Sequence, residues 1–183
     1  MSEERKQTSA SVAWYKLSVL IMRREREKAL NVYRLLAHSL DDKAYALQLE
    51  GDILWFLDDR DASEKYKQAA FLYKKEKRWV DAIAVCNHLL TIDPGSSELI
   101  STLLSLYVLT DWQDRFSIEL KHVFEKYDKR TLSHDEVLRI MRGLVTFIRE
   151  EFFDTKKDWV FTSIKSNISG AEPDLVEQIS KLF

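Results

Sequence analysis

The chain is predicted to be all-α, and three observations carry that prediction. Four glycines and two prolines punctuate 183 residues, too few for an all-β chain that turns every ~8–12 positions or for glycine-rich βαβ loops. Apolar residues recur at steps of three and four from Ser11 onward, the spacing of one helical face. The same apolar pattern then returns after one helix pair, which predicts stacked helical hairpins.

The elements follow in order. Residues 1–10 are polar and are expected as a flexible lead. Trp14, Leu17 and Ile21, with Val12, mark a first helix that ends at the polar run Arg23–Lys28. Ala29, Val32, Tyr33, Leu36 and Leu40 form the second stripe, closed by Asp41-Asp42. The third takes Tyr45, Leu47, Leu49, Ile53, Leu54 and Leu57, and the fourth Ala62, Tyr66, Ala69, Ala70 and Tyr73. Trp79 through Leu90 is the fifth, broken by Asp93-Pro94-Gly95. Ser96 and Ser97 offer N-caps for a sixth helix, and Asp111 one for a seventh that runs to about Tyr127. Ser133 with Glu136 reads as a capping box opening an eighth helix, whose apolar face carries Val137, Ile140, Leu144, Phe147 and Ile148. A ninth is expected near Lys156–Ile168 and a short tenth over Asp174–Phe183.

Shifted by about 34 residues, Ala69, Ala70, Tyr73, Ala82, Cys86 and Leu89 fall on Leu103, Leu104, Tyr107, Phe116, Leu120 and Val123. Shifted one residue less, Trp14, Ser18, Ile21, Ala29, Tyr33 and Leu36 fall on Leu47, Gly51, Leu54, Ala62, Tyr66 and Ala69. Small residues coincide where two helices approach closely. This pattern resembles the tetratricopeptide repeat, and residues 63–96 match it best through Ala70, Tyr73, Ala82, Leu89 and Pro94. The two registers meet on helix 62–75, which serves as second helix of one unit and first of the next. The resemblance implies antiparallel helix pairs in a right-handed superhelical solenoid over residues 11–130, with 131–183 as a C-terminal helical cap.

The formal charge is −2, without the basic excess of a phosphate-neutralising nucleic-acid binder. No apolar run approaches the ~18 residues of a membrane span, and a single cysteine fits a reducing, cytoplasmic setting. Enzymatic motifs are missing: no HExxH, Walker loop, GxGxxG or GxSxG occurs. Cys86 and His88 stand two apart on a helix and so point in different directions. Asp128 to Glu136 is too short for an EF-hand loop and has no central glycine. Paired acids such as Asp41-Asp42, Asp58-Asp59 and Glu150-Glu151 read as solvated or capping. The chain is therefore expected to be no enzyme, to carry no metal and to need no cofactor.

The resemblance implies a concave groove that binds a peptide or helix of a protein partner. Carried over by position, that groove takes Lys67, Phe71, Lys74 and Lys75 on helix 62–75 and Ser101, Ser105 and Val108 on helix 97–109. Residues 60–78 hold seven basic and three acidic side chains, which favours an acidic ligand. One subgroup of the family grips a C-terminal carboxylate with a Lys/Asn clamp, but Gly51-Asp52, Glu64 and Gln68 replace its residues here, which argues against that activity. The main expectation is a protein-binding adaptor or scaffold. The alternatives are a secretion-type chaperone for a specific client, which the class serving type III translocators resembles in size and acidity, and an enzyme subunit with its site in the C-terminal helices. Exposed ends of repeat stacks self-associate, so a homodimer also belongs among the expectations.

Overall fold

The computed structural model describes residues 2–151, 157–168 and 171–182, with residues 2–10 and Lys157 described for their backbone alone. Among these residues the chain is all-α. Its helices are α1 (Ser2–Met22), α2 (Arg26–Ala37), α3 (Lys43–Phe56), α4 (Ala62–Lys75), α5 (Trp79–Ile92), α6 (Ser97–Thr110), α7 (Gln113–Asp128), α8 (His134–Glu151), α9 (Lys157–Ile168) and α10 (Pro173–Ser180). None is long and apolar enough to cross a membrane. Helix α1 starts at Ser2, ahead of the Ser11 expected from the apolar pattern. Lys156 and Phe183, expected as the start of the ninth helix and the end of the tenth, lie outside the described residues.

The chain divides into two compact units, Met1–Arg78 and Trp79–Phe183. The division falls inside the 11–130 stretch read as one repeat domain, at the C-terminal end of the helix on which the two registers meet.

Helix ends explain how so few glycines suffice. Five turns contain a left-handed residue, and none is glycine: Arg24, Asp58, Lys77, Asp111 and Arg130. Each closes the preceding helix with a pair of bonds. At Asp58 its own N–H donates to Trp55 O (3.0 Å) and the next N–H, of Asp59, donates to Leu54 O (2.9 Å). The same pair recurs at the other four sites. This is the Schellman closure, which satisfies carbonyls that the helix end leaves open. Asp111 thus ends α6, whereas the sequence reading gave it to the start of α7, where Trp112 is the N-cap residue. Arg24 and Asp58 are 34 residues apart, as are Lys77 and Asp111, so the helix-pair repeat is written in the backbone.

In the first unit sequential helices pack on one another, α1 on α2, α2 on α3 and α3 on α4. The tightest seam lies between α3 and α4. Gly51 lets it close, because a Cβ there would stand 2.8 Å from the Tyr66 ring. Asp42 caps α3 by accepting from Tyr45 N.

The second unit is built around α6, which packs on α5, α7 and α8. Ser96 caps it through Leu99 N. The capping box forms as expected: Ser133 N donates to Glu136 Oε2 at 2.7 Å, and Glu136 N donates to Ser133 Oγ at 3.3 Å. Helix α8 lies along α6, α10 packs on α8, and α9 packs on α7, where Trp159 meets Phe116 edge-on with ring centroids 5.1 Å apart.

A three-helix correspondence links the units. Buried positions in α2 are Ala29, Leu30, Tyr33 and Leu36, and in α5 Ala82, Ile83, Cys86 and Leu89, at identical spacing. Ala44, Gly51, Ile53 and Leu54 of α3 match Ser97, Leu104, Leu106 and Tyr107 of α6. Ala62, Tyr66, Ala69 and Ala70 of α4 match Phe116, Leu120, Val123 and Phe124 of α7.

Candidate docking surfaces

Of the residues expected to line the groove, three do not reach solvent in the manner that role requires. Val108 is fully buried, with 0% exposure. Ser105 is buried and donates to Ser101 O at 2.9 Å, within its own helix. Ser101 is half-buried, and its Oγ stands where a Cβ on Gly143 of α8 would be. The physical reason is that α8 covers the face of α6 that the positional carry-over leaves open. Tertiary covering of this kind is a long-range event with no local signature.

The α4 residues stand differently. Phe71 is 62% exposed, Lys67 and Lys75 are exposed, and Lys74 is half-buried. They sit opposite the buried face of α4, which carries Tyr66, Ala69 and Tyr73.

The sequence reading missed a second exposed surface, on α1 and α3. Val12, Tyr15 and Met22 are exposed on α1 with half-buried Val19 between them, at the three- and four-residue steps of one helical stripe. On α3, Tyr45, Trp55 and Phe56 are exposed, with half-buried Leu49 completing the face. Each of the two helices leads into a turn with a left-handed residue, Arg24 after α1 and Asp58 after α3. Ion pairs tie their C-terminal ends together: Arg24 meets Asp58, while Arg26 meets Asp59 and, at 3.5 Å, Asp61. Met22 and Phe56 precede Arg24 and Asp58 by the same two steps, so both stand at this tied end. The missed signal is that apolar residues occupy both faces of α1: Leu17 and Leu20 pack inward, while Tyr15 and Met22 have nowhere to go within the unit.

Behind this face runs a polar seam. Tyr66 Oη donates to Asp52 Oδ1 and Tyr73 Oη to Gln48 Oε1, both at 2.8 Å, and Tyr33 Oη donates to Ala46 O. Burial pushes the Tyr33 and Tyr66 phenols far above their ordinary range, reinforced by the Glu50 carboxylate for Tyr33 and by the bond to Asp52 for Tyr66. Arg78 pairs with Asp42 at 2.5 Å and lies 4.4 Å from the centroid of the Tyr73 ring. The seam fixes α3 against α4, so the outer faces of both helices are held on a rigid support.

Comparison of the chain with family models, curated proteins and solved structures gave no match. The functional reading therefore rests on the residues themselves.

Cys86 is buried at the position that Tyr33 takes in the first unit. Among the described residues no group of three or more His, Cys, Asp or Glu side chains is placed to hold a metal. The second unit has a cavity of about 640 Å³ at the α7–α8 turn, lined by Tyr127, Arg130, His134, Glu136 and Glu172 among others. Its hydroxyls are engaged: Ser133 in the capping box and Thr131 as donor to Lys126 O at 2.9 Å.

Proposed function

We propose that the protein is a non-enzymatic interaction module of the tetratricopeptide kind, working in the cytoplasm, whose α1–α3 face captures an amphipathic helix of a protein partner. One observation carries this reading: aromatic and aliphatic side chains stand exposed on α1 and on α3, two helices whose following turns are tied together by ion pairs. Tyr, Trp, Phe and Met are the residues that supply most binding energy when an interface closes over them. The exposed stripe of α1 has helical spacing, and an apolar stripe of that kind is what the apolar ridge of a partner helix packs against. Lys16 and Arg23 on α1 and Asp52 on α3 border these side chains, so the partner's contacting side is expected to be apolar with polar residues at its edges.

The test places a photo-crosslinking amino acid at Tyr15, at Phe56 and, as a control, at Ile118 of the second unit. The reading expects cross-links from positions 15 and 56 to one segment of one protein, with apolar residues in that segment at helical spacing. Cross-links to unrelated segments, or none above the level at Ile118, would overturn it.

A further inference from the structure

We infer that the outward face of α4 is a separate docking site for an acidic, amphipathic protein segment. Lys67, Phe71, Lys74 and Lys75 share this face at three- and four-residue steps, and Lys77 follows at the turn. Among the described residues none of these four lysines is ion-paired, although their neighbours Lys65 and Arg78 are, to Glu50 at 3.1 Å and to Asp42. Phe71 stands in the middle of the cations. A solvated helix needs no aromatic ring there.

Two plainer accounts fall short. Lysines in the last turn of a helix are favoured by its dipole, which covers Lys74 and Lys75 but neither Lys67 nor Phe71. An ordinary charged face neutralises itself, and the matched helix of the second unit does so: Lys121 and Glu125 of α7 hold the positions of Lys67 and Phe71 and pair at 3.8 Å. On α4 that acid is replaced by phenylalanine, leaving one apolar anchor among lysines without an ion-pair partner, while the acid at the N-terminal end of the face, Glu64, accepts from Gln68 at 3.0 Å. The complement is a segment with carboxylates flanking an aliphatic side chain. An anionic lipid surface shares the charge but fits less well, since a single aromatic residue gives little insertion and a chain with net charge −2 is repelled as a whole.

The site lies apart from the α1–α3 face, so the two can fail independently. The test uses the full chain and a fluorescein-labelled peptide with leucine on one helical face and glutamate on the other, read by anisotropy. Vesicles of phosphatidylserine in phosphatidylcholine form the competing arm. The peptide is expected to bind, and to bind more weakly as salt rises from about 0.05 to 0.3 M. Phe71→Ala should weaken it about fivefold or more, and Lys67→Glu/Lys74→Glu/Lys75→Glu about tenfold or more. The same three positions changed to arginine should keep binding, and both Lys121→Glu and Met22→Ser/Phe56→Ser should leave it unchanged. Circular dichroism checks that each variant keeps its helix content. Absence of peptide binding, binding indifferent to charge reversal, or vesicle binding in its place would overturn the proposal.

Discussion

The helices α2–α3–α4 and α5–α6–α7 bury side chains at the same spacing, yet fill those positions with different chemistry. Where the first set has Tyr33, Gly51, Asp52 and Tyr66, the second has Cys86, Leu104, Ser105 and Leu120. In the first, a glycine makes room for a ring whose hydroxyl reaches a carboxylate. In the second, aliphatic side chains fill the space and the hydroxyl bonds its own helix. Outward, the first set shows unneutralised lysines around Phe71, and the second an ion pair. Spacing of buried positions therefore sets the helix packing, while the residues chosen for those positions decide which faces stay open. The first unit leaves the outer faces of its helices exposed, and the second covers the outer face of α6 with α8.

The largest test of that difference is a methyl group. Gly51→Ala should destabilise α3–α4 by about 1–3 kcal/mol through overpacking, because Tyr66 is held at its ring by burial and at its hydroxyl by Asp52 and cannot yield. The ~1 kcal/mol gain in helix propensity offsets only part of this. Gly143→Ala meets the Ser101 hydroxyl, which can rotate away, and Ser101 Cβ at 3.3 Å, which needs only a small shift, so the ~1 kcal/mol propensity gain should leave the change near neutral. Hydrogen exchange of α3–α4 and of α6–α8 amides reads each unit separately.

Alkaline pH should bear harder on the first set, since burial also raises Tyr107 of α6 but a bond with Asn87 opposes that rise. Tyr33 and Tyr66 have folded-state values above the ordinary 10.0. Below pH 10 the proton is held in both states and stability is flat. Above it the unfolded chain releases protons that the folded chain keeps, so stability falls by about 1.4 kcal/mol per pH unit per phenol. Tyr33→Phe/Tyr66→Phe should flatten that decline in urea unfolding between pH 9 and 11, whereas a decline as steep as in the parent would contradict the burial of these phenols.

The smallest effect is one of likeness. Lys77 and Arg130 occupy equivalent left-handed closures of α4 and α7. Replacing either with glycine relieves the same backbone cost, so each unit should gain about 0.5–1 kcal/mol. Unequal gains would show that the two closures are not equivalent.

Much of this fold was legible in the sequence. Periodicity located the helices, Asp93-Pro94-Gly95 and the Ser133/Glu136 box marked real boundaries, and the shift by one helix pair has its counterpart in the spacing of Arg24 and Asp58. The five closures were hidden because charged residues, not glycines, adopt the left-handed conformation. The covering of α6 by α8 was hidden because Ser101 and Gly143 meet only in three dimensions. The exposed residues of α1 were partly visible, since Tyr15 and Met22 fall outside the stripe of Trp14, Leu17 and Ile21, although Val12 was read as part of that stripe. Sequence periodicity alone says that such residues are apolar, and only packing says that nothing covers them.

The central claim is that Met22 and Phe56, 68% and 54% exposed, serve binding and not folding. Its most direct test measures thermal unfolding of Met22→Ser/Phe56→Ser alongside the variant's affinity for the partner segment that cross-links to positions 15 and 56. The account predicts a melting temperature within about 2 °C of the parent and an affinity at least about tenfold weaker. A melting temperature lowered by about 5 °C or more, or an affinity that does not change, would contradict it.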